Sequence, residues 1–115
     1  MDTSVWIDHF HYSNEELKDL LHSGQVCLHQ FILGELSCGN ISNRKEVLSL
    51  LEALPKIDTV QDEEVFFLIE NMELYGKGLG FIDVHLLASA LIHSVTLWTR
   101  DKSLHRVAKE LGIGK

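Results

Sequence analysis

The segment VTLWTRDK, residues 95–102, indicates most clearly how this chain folds. Its first four residues are mainly β-branched, aromatic or apolar, and they predict a strand over 95–98. A final helix is predicted from about Lys102 to Leu111. Asp101 lies between the two, where a carboxylate can cap the helix. The segment therefore predicts a strand that runs directly into a helix, with an acid at the junction.

The same alternation is predicted upstream. Short strands are predicted at 26–28 and, more weakly, at 57–60. A first helix is predicted between a Ser13–Glu16 capping box and Gly24, and a second over 30–38. A third is predicted between a Ser42 cap and Pro55. A fourth is predicted from Asp62 onward and a fifth after the glycine-rich loop 76–80. Strands that alternate with helices predict an α/β fold with a central, mostly parallel sheet. The length of 115 residues predicts one domain, residues 1–115.

Composition narrows the class of protein. Hydrophobic residues make up 45% of the chain, which is enough for a folded core. No uninterrupted apolar run is long enough to span a bilayer, and no secretory signal is recognised, so we expect a cytoplasmic protein without a membrane partner. Cys27 and Cys38 are expected to be reduced and buried. A net charge of −7 argues against a general nucleic-acid binder, although it is compatible with a nuclease whose acids hold metal.

Two carboxylates stand alone in long uncharged stretches. Glu35 is the only formally charged residue between Asp19 and Arg44, and Asp83 is the only one between Lys77 and Arg100. A buried, unpaired carboxylate is costly, so such positions suggest a cation beside the acid.

Two further acids have small hydroxyl residues nearby. Asp2 is followed by Thr3 and Ser4, and Asp101 follows Thr99 by two residues. In parallel sheets, ligands bind beyond the carboxyl ends of the strands, which is where Asp2 and Asp101 are predicted to lie. Four carboxylates from separate segments could form one oxygen-rich site for a hard divalent ion.

Four motifs occur in the order found in a known family: DTSVWID at 2–8, GEL at 34–36, IDVHLLASA at 82–90 and WTRDK at 98–102. With them the chain resembles the PIN-domain ribonucleases, specifically the VapC toxins of type II toxin–antitoxin systems. The resemblance implies a three-layer α/β/α domain that cleaves RNA with Mg²⁺ or Mn²⁺. It also implies a cognate VapB-like antitoxin and a homodimer. Family members carry apolar residues of a central strand before the first acid, and because only Met1 precedes Asp2, that strand is expected to be truncated.

The family's roles transfer to matching positions. Asp2, Glu35, Asp83 and Asp101 become the catalytic, metal-binding acids. Ser4 and Thr99 become hydroxyls that support these acids or a metal-bound water. Phosphodiester cleavage needs an attacking water, charge neutralisation and help for the leaving oxygen, all of which divalent metals provide. One ion or two remains open, as does whether Asp101 or Glu35 instead orients the water.

Other residues have two readings. Arg44, Arg100 and Lys102 are candidate contacts for RNA phosphates, or ordinary surface cations. Phe66 and Phe67 pack in the core, or one of them faces a partner protein. His9 and His11 hint at a metal pair, but they are interpreted as loop histidines. His85 is assigned to packing or to a supporting role near the acids.

Three functions remain in view. The leading hypothesis is a metal-dependent endoribonuclease toxin. A second is a PIN-type nuclease that acts on DNA, which digestion of RNA beside DNA would distinguish. A third is an inactive PIN-like interaction module, for which a folded sample would take up no manganese.

Overall fold

The computed structural model describes all residues from Met1 to Lys115. The backbone groups into two compact units, Met1–Ile57 and Asp58–Lys115. No helix in the chain is both long and apolar enough to cross a membrane.

The unit Met1–Ile57 contains four helices and a two-stranded sheet. Its elements in chain order are α1 (Thr3–Tyr12), α2 (Glu15–His22), β1 (Leu28–His29), α3 (Gln30–Cys38), α4 (Arg44–Glu52) and β2 (Lys56–Ile57). The strands pair in parallel, with Leu28 opposite Lys56 and His29 opposite Ile57. A parallel pairing confirms the predicted strand orientation, although both strands are shorter than expected and shifted by one or two residues.

The first residues form a helix rather than the remnant of a strand. α1 begins at Thr3 with Asp2 as its N-cap residue, and Val5 and Trp6 of this helix are buried. His9 and His11 therefore lie in the last turn of α1, which corrects the loop interpretation. The Nδ1 atom of His9 accepts a hydrogen bond from the backbone N–H of Asn14, at 3.1 Å.

Two helix caps differ from the prediction by one residue. Ser13 adopts a left-handed conformation (φ 55°) as the C-cap of α1, and Asn14 instead caps α2 by accepting from the N–H of Leu17 at 2.9 Å. Asn43, rather than Ser42, precedes α4. Helix α3 begins and ends at the predicted residues, and its N-cap is the side chain of His29, whose Nδ1 accepts from the N–H of Phe31 at 3.0 Å.

The unit Asp58–Lys115 contains three helices. These are α5 (Asp62–Asn71), α6 (Phe81–His93) and α7 (Lys102–Glu110). The strand predicted at 95–98 is reduced to one parallel bridge between Leu97 and Gly114, closed by bonds from Leu97 N–H to Ile113 O and from Lys115 N–H to Leu97 O. Its partner is thus the segment around Gly114, which follows α7.

Burial corrects the expectation for the two cysteines and excludes the core reading of Phe66 and Phe67. Cys27 and Cys38 carry free, exposed thiols instead of lying in the core. Phe66 and Phe67 are both exposed, at 58% and 69% of their surface, so neither is a core residue. The buried side chains of α6 come from one continuous run, Val84 to Ala90.

His85 is the polar member of that run. His85 is 1% exposed, and its Nε2–H donates to Oδ1 of Asp62 at 3.0 Å. The rings of Phe81 and His85 pack edge-on, with 4.7 Å between their centroids. Asp62 stands at the start of α5, so this bond ties the first turn of one helix to the buried face of the next.

We expect the His85–Asp62 bond to stabilise this unit. Asp62→Ala should lower the free energy of unfolding by about 1–2 kcal/mol, because it leaves a buried N–H donor without this acceptor. Asp62→Asn keeps an acceptor and should recover part of the loss. Glu63→Ala removes a neighbouring acid from the same helix turn and serves as the control in denaturant unfolding. Equal losses for Asp62→Ala and Glu63→Ala would contradict a specific role for the bond.

Candidate functional site

Asp2 is held at the start of α1. Its side chain is buried, with the residue 8% exposed, and Oδ2 accepts a hydrogen bond from the hydroxyl of Ser4 at 2.9 Å. Burial lowers the pKa of the adjacent Met1 amino group, and the negative charge of Asp2 opposes that shift. The predicted pairing of Ser4 with an acid is therefore present at this position.

Glu35 lies on α3 and is joined to the same end of α1. Its Oε1 accepts a hydrogen bond from the hydroxyl of Thr3 at 3.1 Å. Its Oε2 accepts no bond from the chain, and the residue is exposed. Since Thr3 and Asp2 are consecutive, the start of α1 brings the first two predicted acids into one neighbourhood.

Sequence reasoning did not single out Thr3. The signal was present, because two hydroxyl residues follow Asp2, but only Ser4 was assigned a supporting role. In a helix, successive side chains are rotated by roughly 100° around the axis. Because α1 begins at Thr3, Thr3 and Ser4 point in different directions, and Thr3 is the one that reaches Glu35.

Asp83 lies in the first turn of α6, as predicted. Its Oδ2 accepts from the backbone N–H of Gly80 at 2.9 Å, which satisfies one of the donors that open the helix. The residue is only partly exposed. Asp83 therefore stabilises the N-terminus of α6. This structural role does not conflict with metal binding by the same carboxylate.

Asp101 is the N-cap of α7. Its Oδ1 accepts from the backbone N–H of Leu104 at 2.9 Å, while its Oδ2 accepts no bond from the chain. Thr99 is buried, and its hydroxyl accepts from the backbone N–H of Asp101 at 3.0 Å. Thr99 thus orders the turn in front of α7 through the backbone of Asp101.

The loop that precedes α6 contacts α7. A Cβ atom on Gly78 would lie 2.9 Å from Oγ of Ser103, in the first turn of α7, and Gly78 has a left-handed φ of 77°. Nη2 of Arg106 also donates to the carbonyl of Lys77 at 3.4 Å. Gly78 precedes the cap of α6 by two residues and Ser103 follows Asp101 by two, so the segment that leads into Asp83 contacts the first turn that Asp101 caps.

Comparison with known proteins decides the family. The chain matches the PIN domain family over residues 1–110. The chain belongs to this family. It is also 40% identical over 114 residues to Ribonuclease VapC32 of Mycobacterium tuberculosis, in both strain CDC 1551 / Oshkosh and strain ATCC 25618 / H37Rv. That alignment covers 98% of this chain and 92% of the relative. The chain is therefore a VapC-like member of the PIN domain ribonucleases.

Family membership confirms the coarse predictions. The PIN domain is a three-layer α/β/α fold, which agrees with the expected α/β class. PIN ribonucleases of the VapC type generally need a divalent metal, and the family implies an RNA substrate and a VapB antitoxin.

The donor chemistry of this PIN domain fits a hard divalent ion. The candidate ligands are carboxylate oxygens, with hydroxyls in support and no thiol or imidazole, which suits Mg²⁺ or Mn²⁺. Within each unit, no group of three or more His, Cys, Asp or Glu side chains could hold a metal. Residues at the start of α1 bond to Asp2 and Glu35, and Asp83 and Asp101 each lie at the start of a helix in the other unit. Convergence of the four acids on one ion stays a prediction.

The predicted RNA-contacting cations are exposed, and Arg44 bonds to the backbone. Nη2 of Arg44 donates to the backbone carbonyl of Ser37 at 2.6 Å, near the end of α3. Arg100 and Lys102 flank the α7 cap at the surface of the PIN domain. Contact of any of the three with RNA phosphate stays a prediction.

Removing the Thr3 hydroxyl is expected to slow RNA cleavage. Thr3→Val keeps the side-chain shape but leaves Glu35 without its donor, and loss of such a partner typically costs about 10–100-fold. Thr3→Ser keeps the hydroxyl and should retain most activity. Cleavage rates of the purified proteins measure the effect, with the exposed Thr96→Val as control. An unchanged rate for Thr3→Val would contradict a positioning role for Thr3.

Proposed function

We propose that this PIN domain is a cytoplasmic endoribonuclease toxin that hydrolyses RNA with Mg²⁺ or Mn²⁺ held by Asp2, Glu35, Asp83 and Asp101. One observation carries the proposal. Glu35 and Asp101 each use one carboxylate oxygen for a bond within the chain and leave the second oxygen open. A carboxylate in this arrangement is fixed in orientation and still able to bind a cation or a water molecule.

The supporting bonds explain how the acids keep their geometry. Thr3 and Ser4 donate to Glu35 and Asp2, and hydroxyl donors of this kind fix the direction of a carboxylate. Asp83 and Asp101 are fixed instead by backbone N–H groups at the starts of α6 and α7. Rigid elements therefore hold all four acids, which is what a precisely shaped site requires.

These residues also suggest how the reaction is assisted. A divalent ion held by Asp2, Glu35, Asp83 and Asp101 would neutralise charge on the phosphate and would lower the pKa of a water molecule. The open Oε2 of Glu35 or Oδ2 of Asp101 could accept a proton from that water or orient it. Arg44, Arg100 and Lys102 are proposed to hold flanking phosphates of the RNA.

The proposed protein partners are a VapB-like antitoxin and a second copy of the chain. Phe66, Phe67 and Phe81 are exposed on α5 and α6, and the rings of Phe66 and Phe81 stack at 5.3 Å. Exposed aromatic clusters of this kind are commonly covered by a protein partner. A homodimer that buries this surface is the arrangement we propose.

Digestion of single-stranded RNA beside single-stranded DNA of the same sequence tests the activity. We expect RNA to be cut with Mg²⁺ or Mn²⁺ present, EDTA to stop cleavage, and DNA to remain intact. Cleavage of DNA alone would favour the second nuclease hypothesis. No cleavage of a broad set of RNAs, together with no uptake of manganese by the folded protein, would contradict the proposal and favour an interaction module.

A further inference from the structure

A groove of about 390 Å³ opens beside Glu35 within the unit Met1–Ile57. One wall is a single face of α1, formed by Thr3, Ile7 and Phe10, which are spaced four and three residues apart. The opposite wall is made by the end of α3, residues 39–42 and the beginning of α4. The volume falls in the range of small-ligand sites, about 300–1,000 Å³.

The lining combines apolar surfaces with a few polar groups. Ile7, Phe10 and Ile41 supply the apolar part, and Ile7 is 46% exposed although it is a large aliphatic residue. His11, Asn40 and Ser42 add an imidazole, an amide and a hydroxyl. An amide offers a donor and an acceptor together, which is the pattern that reads the edge of a nucleobase.

Charge argues against a phosphate in this groove. Glu35 is the only acidic residue in its lining, and neither lysine nor arginine lines it. A phosphate group would meet the carboxylate without a strong cation to offset the repulsion. An uncharged planar base that stacks or packs on apolar side chains is the part of an RNA strand that suits this lining.

The wall that carries Asn40 is held from both sides. Gly39 N–H donates to the carbonyl of Leu36 at 3.1 Å, and Arg44 donates to the carbonyl of Ser37 at 2.6 Å. These bonds close the connection between α3 and α4 over a few residues. A wall fixed before the ligand arrives loses less conformational freedom on binding.

We propose that this groove binds one unpaired nucleobase of the RNA substrate, next to the phosphate that is cut. Phe10 and Ile7 pack against the base, and Asn40 and His11 hydrogen-bond to its edge. The inference rests on the proposed ribonuclease function, because Glu35 at the border of the groove is one of the candidate catalytic acids.

Cleavage of an RNA library with randomised bases around the cut tests this subsite. Asn40→Ala and His11→Ala are expected to change the base preference at one position by about tenfold and leave the other positions unchanged. Asn71→Ala and His93→Ala remove matched exposed residues of the other unit and should leave the preference as in the unaltered protein. A preference that is the same in all five proteins would overturn the subsite and leave the ribonuclease activity standing.

A binding measurement separates the two proposals if cleavage is absent. Fluorescence anisotropy with labelled single-stranded RNA hexamers, magnesium and the Asp83→Asn protein reports binding without turnover. Adding Asn40→Ala should weaken binding of the preferred hexamer about tenfold. Equal binding would overturn the subsite. Loss of affinity for the co-purified antitoxin, with RNA binding unchanged, would assign the groove to a protein segment and also overturn it.

Discussion

Replacing Asp83 by asparagine is expected to lower RNA cleavage by about 10³-fold, the scale of losing a charge-stabilising group at a reacting centre. The fold should survive the change. The carboxylate of Asp83 accepts from the N–H of Gly80, and the amide oxygen of asparagine can accept the same bond. The substitution therefore removes charge and metal affinity while it keeps the start of α6.

Rates of cleavage and thermal unfolding should be measured on the same protein samples. Asp58→Asn removes an exposed acid of the same unit and should leave the cleavage rate unchanged. Full magnesium-dependent cleavage by Asp83→Asn would contradict the assignment of this acid. A loss of activity that parallels a loss of folded protein would instead assign Asp83 to stability alone.

Manganese is expected to raise the melting temperature of the unaltered protein by about 10 °C. A ligand at 100 times its dissociation constant stabilises the folded state by about 2.7 kcal/mol. For a chain of this size, each kcal/mol moves the melting temperature by about 4 °C. The shift should therefore be large enough to measure by differential scanning calorimetry.

Variants of the open carboxylates should lose most of this stabilisation. Asp101→Asn keeps a good N-cap for α7, so its metal-free stability should be nearly unchanged while its manganese shift falls to about 2 °C. Glu35→Gln should likewise keep its metal-free stability and lose most of the manganese shift, because the glutamine side-chain oxygen can still accept from Thr3. Glu110→Gln and Glu52→Gln are the matched controls on exposed helix ends. An unchanged shift in both acid variants would contradict their role as ligands.

Local signals in the sequence predicted some elements closely. Helix α3 has the predicted bounds, and Asp83 and Asp101 lie in the first turn and at the cap where acids are favoured. These predictions depend on backbone donors within three residues of the acid. Such interactions are determined by neighbours in the sequence, so they can be inferred without the rest of the fold.

Predictions that depended on distant partners were less accurate. The segment 95–98 has strand-forming residues, but only Leu97 forms a bridge, because pairing requires a partner strand elsewhere in the chain and the partner here is Gly114. Cys27 and Cys38 were expected to be buried, yet exposure is decided by the direction in which each side chain leaves the backbone. The bond between Thr3 and Glu35 joins residues 32 positions apart and has no local signature.

The predicted caps of α2 and α4 were wrong by one residue, again because the choice depends on more than the capping residue. Ser13 and Asn14 are both good N-cap residues, and so are Ser42 and Asn43. The sequence narrows each helix start to two positions. Ser13 takes the C-cap of α1 in a left-handed conformation, which leaves Asn14 to cap α2. The choice is made by the preceding helix rather than by the capping residue itself.

Anomalous diffraction from crystals soaked in manganese tests the central claim most directly. The account predicts one ion, or two close together, with an oxygen of Asp2 or Glu35 and an oxygen of Asp83 or Asp101 at about 2.0–2.6 Å, the usual range for hard divalent ions. A manganese ion bound by only one of these pairs, or no ion near the four acids at saturating metal, would contradict it.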